Sequence, residues 1–278
     1  TPTLPELIPI PPAATAPDTA PVESALNPPS TPTASTSAVV SNTTVVGRWQ
    51  DIWPESTRLT YKAGGYFRGE LFGNAVVQWQ LQGEQYQTDV VVDIGPITAL
   101  KMRSRGRITP EGLYPQAYEE TELGTRRVVG LPDDAVVLGN GQRVPRVAQV
   151  QDSASQFVEL AFRLLTGRDT LEVGQVIRYT MARPDGVDEW SYDVVAKDTL
   201  QTARWGPMEA FHLKPRPLAR PRGPIVMETW FAPSLGYLPV RIKVFRGAAS
   251  YLDLVIDNAL GANEPKPETP APPPLMFN

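Results

Sequence analysis

The sequence predicts a mainly β protein: one strongly curved antiparallel sheet, a half-barrel or open barrel, wrapped around a single α-helix, with disordered Pro-rich termini. Three observations lead there. Short runs of period-two alternation recur from about residue 58 to residue 257, separated by Gly, Pro and Asp turns, which is the pattern of strands that bury one face and wet the other. Only one stretch, 153–167, repeats its apolar residues at helical spacing. Prolines crowd the ends of the chain, ten of the 30 falling within residues 1–45.

Residues 1–45 set those prolines among Ala, Thr and Ser, and bury too little surface to offset the entropy of ordering, so they read as a disordered or polyproline-like linker. Extended, it would reach roughly 140 Å. The folded domain is expected over 46–260, opening near Trp49 and Trp53, and a second loose Pro-rich tail over 261–278. A first strand, 58–67, carries Gly64-Gly65, the sign of a bulge or a close backbone approach. From 75 to 82, Val77, Trp79 and Leu81 alternate with Gln78, Gln80 and Gln82, a glutamine row on the wet face with donors and acceptors for a sugar or a peptide.

The run 86–118 states the architecture most plainly. Tyr86, Thr88, Val90 and Val92 share one parity against Asp89 and Asp93; after Gly95-Pro96, Leu100, Met102 and Ile108 alternate with Lys101, Arg103, Arg105 and Arg107. Asp93 is placed to pair with Lys101 or Arg103 across the hairpin. Strands over 114–120, 126–131 and 135–138 follow, the last two as a pair, with the acidic cluster Glu119, Glu120 and Glu122 at a strand end.

The helix is expected to start at Asp152 or Ser153, with Ser153 as N-cap and Gln156 completing a capping box. Phe157, Leu160, Ala161, Leu164 and Leu165 form its apolar stripe, Glu159 falls on the wet side, and Gly167 supplies a left-handed C-cap. Strands return over 177–181, 190–194, 207–213, 226–231, 237–245 and 251–257; an exposed loop with Arg216, Arg220 and Arg222 interrupts them.

Function classes narrow mainly by exclusion. A net charge of −4 argues against nucleic acid, and the absence of cysteine removes disulfides, thiolate metal sites and Cys nucleophiles. One histidine, His212, without a nucleophile elbow, reads as a hydrogen-bonded strand residue; no metal site, cofactor site or phosphate-binding glycine loop is present, and no catalytic residue is assigned. The chain starts at Thr1 without Met and holds no apolar run of membrane-spanning length, so a removed signal peptide or amino-terminal anchor is expected.

Arg105-Gly106, Gly112-Leu113-Tyr114-Pro115, Gln151-Asp152-Ser153 and the late Trp230-Phe231-Ala232-Pro233 with Gly236-Tyr237-Leu238-Pro239-Val240-Arg241 resemble the bacterial exported family called domain of unknown function 3108, over about residues 56–258. The resemblance implies a periplasmic or exported envelope protein of a Gram-negative bacterium, and it carries no catalytic residues. The first functional expectation is a non-enzymatic module that binds a lipid or lipidated peptide in the hollow of the sheet, lined by Trp79, Trp190, Tyr192, Trp230 and Phe231. The second is a tethered module holding an envelope protein; an enzyme acting on glycan or peptide comes third. Arg103, Arg105 and Arg107 are the candidate basic surface for anionic groups.

Overall fold

The computed structural model describes residues 56–218 and 225–260. The linker expected over 1–45, the tail over 261–278, Trp49, Trp53, Arg220 and Arg222 lie outside the described residues. Within them the strands are β1 (Ser56–Tyr66), β2 (Glu70–Gln82), β3 (Gln85–Ile94), β4 (Ile97–Thr109), β5 (Gly112–Glu122), β6 (Thr125–Gly130), β7 (Ala135–Val137), β8 (Arg143–Pro145) and β9 (Gln151–Asp152). Helix α1 (Gln156–Leu165) separates these from β10 (Val176–Arg183), β11 (Gly186–Thr202), β12 (Gly206–Pro215), β13 (Ile225–Ala232), β14 (Leu238–Arg246) and β15 (Tyr251–Leu260), with a 3-10 turn at Pro233–Leu235.

All the strands join one sheet, β8-β7-β6-β5-β4-β3-β2-β1-β15-β14-β13-β12-β11-β10-β9, whose ladder does not close. Every pairing is antiparallel except the short parallel bridge of β9 to β10. Hairpins connect nearly all neighbours, and β15 returns to pair with β1, which sets the two halves of the chain side by side. Away from the ladder, Gly139 N–H donates to Pro184 O at 3.0 Å and the Gln151 amide donates to Leu113 O at 3.0 Å. These two bonds tie the β5–β8 end of the sheet to the β9–β11 end along a seam.

Alternation in the sequence maps onto burial. Tyr86, Thr88, Val90 and Val92 of β3 are buried, as are Ser104 and Ile108 of β4, while Lys101, Arg103 and Arg105 are exposed. The expected pairing of Asp93 with Lys101 or Arg103 does not form: a register shift after Val92 sets Asp93 opposite Thr98, and Arg103 pairs with Asp89 instead. At Gly64-Gly65 the close approach is real, since a Cβ on Gly65 would stand 2.2 Å from Tyr251 O, but the bulge itself lies at Thr60/Tyr61. The expected pair of 126–131 with 135–138 shrinks to a single bridge, Gly130 to Val137, because β7 takes its main partner from the unforeseen β8.

The helix differs from its sequence reading at its start and around its girth. Ser153 does not cap it. Ser155 stands at the N-cap without a side-chain cap bond, and Asp152 braces the turn before it, its Oδ1 accepting the N–H groups of Ala154 and Ser155 at 2.9 and 2.8 Å, so the helix begins only at Gln156, later than expected. Gln156 turns back to Ser153 O rather than to a backbone N–H. The C-terminus behaves as read: Gly167 adopts φ 70°, Gly167 N–H reaches Leu164 O and Arg168 N–H reaches Arg163 O, the double bond of a Schellman end.

Nearly every side of α1 is covered. Val158, Glu159 and Phe162 are buried along with Leu160, Ala161 and Leu164, whereas Leu165, placed in the apolar stripe, is 37% exposed. Val158 and Ala161 join the cluster that contains Trp79 and Tyr118; Leu160 and Leu164 join a second cluster with Ile177, Tyr179, Trp190, Tyr192 and Phe231. One helix therefore links two cores.

Candidate functional site

At the start of α1 a polar network is sealed inside the protein. Tyr86 hydroxyl lies 3.0 Å from Ser104 Oγ, and Ser104 donates to Asp152 Oδ2 at 2.6 Å, so the tyrosine is the donor in its own bond. Burial pushes the Asp152 carboxyl up to about 6, against the pull of the hydroxyl and amide donors around it. Ser104 and Asp152 are fully buried, which makes this network an internal support for the helix N-terminus rather than a site reached from water.

Seven residues along the helix the situation changes. Glu159, expected on the wet side, is only 2% exposed; its Oε2 accepts Leu113 N–H at 2.7 Å. Gly112 makes this possible: it sits at φ 135°, and a Cβ there would stand 2.5 and 2.6 Å from the two carboxylate oxygens. Desolvation raises the Glu159 carboxyl to about 7, opposed by the Leu113 amide and by Arg163 and Arg168. Gln151, also buried, donates to Leu113 O while its own Oε1 has no hydrogen-bond partner among the described residues. Glu159 and Gln151 are thus held on the two sides of one residue of β5.

Both line a cleft of about 160 Å³ at the seam, together with Ala148, Gln149, Arg163, Arg178, Tyr179, Thr180 and Glu189. Gln149 is left-handed at φ 55°. Beyond the short bridge to β9 at Met181 and Ala182, the edge of β10 from Val176 to Thr180 meets no strand among the described residues, and Arg163 satisfies one of its carbonyls, Arg178 O, at 3.1 Å. Of the residues that carry the family resemblance, Gly112, Leu113 and Gln151 meet here. Sequence reading missed Glu159, Gln151, Arg163 and Tyr179 as site residues, since helical periodicity does not distinguish a polar face in water from one covered by a neighbouring strand.

The five residues expected to line a ligand hollow are all buried but do not share one lining. Trp79 stacks on Tyr86, with ring centroids 5.3 Å apart. Trp190, Tyr192 and Phe231 belong to the other core, where Phe231 packs against Phe157 of the helix. Trp230 belongs to the cluster of Trp79 and lies in register with His212 and Arg241. Its ring stacks on His212 at 3.9 Å, its Nε1 donates to Asp198 at 2.8 Å, and the Arg241 guanidinium lies over it. His212 is held by Glu228 at 2.8 Å, and burial depresses its basicity. This cluster is internally satisfied, as the sequence reading of His212 expected.

The basic row disperses as well. Arg103 pairs with Asp89, Arg107 reaches Asp133 at 3.4 Å and lies over Tyr114, and Arg105 stands at an open groove of about 560 Å³ with Gln80, Gln82, Gln85 and Gln87. The carboxylates of Glu119, Glu120 and Glu122 are engaged by Arg126 and Arg127 of β6. Among the described residues no group of three or more His, Cys, Asp or Glu is arranged to hold a metal, and no helix is long and apolar enough to cross a membrane.

Fold and site together define, among the described residues, a mainly β domain with one large unclosed sheet and a single buried helix. Residues 58–251 match the family described as Protein of unknown function (DUF3108), and the chain belongs to that family. Among solved structures it is similar to the crystal structure of a beta-barrel-like protein of domain of unknown function DUF1849 from Brucella abortus, at 10% identity and a TM-score of 0.48, covering 76% of this chain and 99% of that one. The comparison with curated proteins gives no match.

Proposed function

We propose that this domain is a non-enzymatic interaction module of the cell envelope, with a sheet curled around its helix into a rigid, packed body, and that it is not a lipid carrier. Tight packing between helix and sheet among the described residues carries the reading. Between helix and sheet the apolar gap lined by Thr57, Leu59, Val77, Trp79, Phe157 and Leu238 holds only about 20 Å³, room for one water, whereas pockets for acyl-sized ligands run to several hundred Å³. The curl is supported by the reach of α1: β5 and β10 stand ten places apart in the ladder, roughly 48 Å on a flat sheet. Yet a helix roughly 15 Å long bonds to both, through Glu159 and through Arg163. The envelope setting rests on the Pro-rich composition of residues 1–45.

Titration with a fluorescent fatty acid, alongside Ala161→Phe, tests it. Ala161 is fully buried, so the added ring should overpack the interior and destabilise the domain by about 1–3 kcal/mol, and neither protein should bind the probe. Saturable binding by the wild type, lost in an Ala161→Phe variant of undiminished stability, would establish an open hollow and overturn the reading.

A further inference from the structure

The seam cleft combines features that packing alone leaves unexplained. Folded proteins pair nearly all their buried polar atoms, and an unpaired one points to a missing partner. Two acceptors here are short of partners: Gln151 Oε1, with none, and Glu159, of which only Oε2 is engaged among the described residues. Both side chains are nine-tenths or more buried, both are anchored on Leu113, and both line the same cavity of about 160 Å³. An acceptor pair calls for a donor, and a carboxylate removed from water calls for a positive one.

Two of the neighbouring cations are committed elsewhere. Arg163 is paired with Asp169 and bonded to Arg178 O, and Arg168, beyond the helix, donates to the carbonyls of Pro110 and Glu111. Arg178 and Glu189, on β10 and β11, line the cleft as exposed side chains of opposite sign. We propose that the seam cleft is a binding site for a small N–H-bearing cation, an ammonium or a guanidinium, held by the Glu159 carboxylate and the Gln151 carbonyl oxygen. Such a group is presented equally by a free amine or guanidine and by a basic side chain of a partner protein. The inference goes beyond the interaction-module reading and would survive its failure, since the cleft is separate from the hollow between helix and sheet.

Occupation by a cation requires an ionised Glu159, whose carboxyl titrates near 7 in the empty site, so binding should release a proton. Isothermal titration with methylguanidinium is expected to show affinity rising roughly tenfold between pH 6 and pH 8. Tetramethylammonium, a cation without N–H groups, should not bind. Glu159→Gln keeps the acceptor for Leu113 N–H and should lose at least tenfold in affinity. The Gln151 side-chain amide resonance should shift on binding in the wild type, a readout that does not depend on any variant. An arginine tripeptide with blocked termini separates the sources: tighter binding than methylguanidinium indicates a partner's side chain, and equal or weaker binding a free small molecule. No binding of either probe at pH 8, or equal binding by Glu159→Gln, overturns the proposal.

Discussion

Replacing Glu159 by Gln should change how the stability of this domain depends on pH. Glu159 has an ordinary carboxyl value of 4.5 when unfolded and about 7 when folded, because burial disfavours its charge. The native state therefore binds the proton more tightly than the unfolded state. Its favourable contribution is fully present below 4.5 and is lost as pH rises through 7, so the wild type weakens over that window. A difference of this size corresponds to roughly 3 kcal/mol at pH 8, an upper figure because Arg163, Arg168 and bound water can relax around the charge. Gln is nearly isosteric, accepts the same Leu113 N–H and does not titrate. Urea melts from pH 4 to 8.5 should show the two proteins alike at the acid end and the variant more stable at pH 8. The variant should keep a smaller slope of the same sign, because Asp152, raised to about 6, still titrates. Stability curves that run parallel across the whole range would refute the burial of Glu159 as described.

Other substitutions probe the packing. Leu160→Ala removes a fully buried side chain from the cluster with Leu213 and Phe231 and should cost about 2–5 kcal/mol in chemical denaturation. Gly112→Ala should displace the Glu159 carboxylate, since its Cβ would overlap both oxygens; the melt should fall, and the Leu113 amide resonance should lose its hydrogen-bonded shift. Arg103→Ala breaks an ion pair whose arginine is half exposed, and should change stability by less than about 1 kcal/mol.

Most strands were legible because each buries one face, and parity then survives in the sequence, as in Tyr86 to Val92. What escaped had physical reasons. Strand β11 runs on to Thr202, but the irregularity between Val194 and Ala196 shifts its period, and Asp198 and Thr202 share the inward side with Ala196 and Leu200 and dilute its apolar signal. β8 and β9 are two or three residues long, too short to show any period. The start of α1 falls later than the sequence predicts because Asp152 and Ser153 are both good capping residues by type, yet Asp152 is drawn into a buried bond from Ser104 and the helix begins only at Gln156. The cleft was least legible of all. Gln151 and Glu159 are eight residues apart and meet only through Leu113, a strand residue 38 and 46 positions earlier, and no local pattern records that meeting.

The central claim is that the interior is closed by its own side chains. Native mass spectrometry of protein purified without detergent from a lipid-replete host, followed by organic extraction, tests it most directly. The account predicts a single mass equal to that of the bare chain and an extract free of stoichiometric lipid. A lipid adduct at one copy per chain, released on extraction, would contradict it.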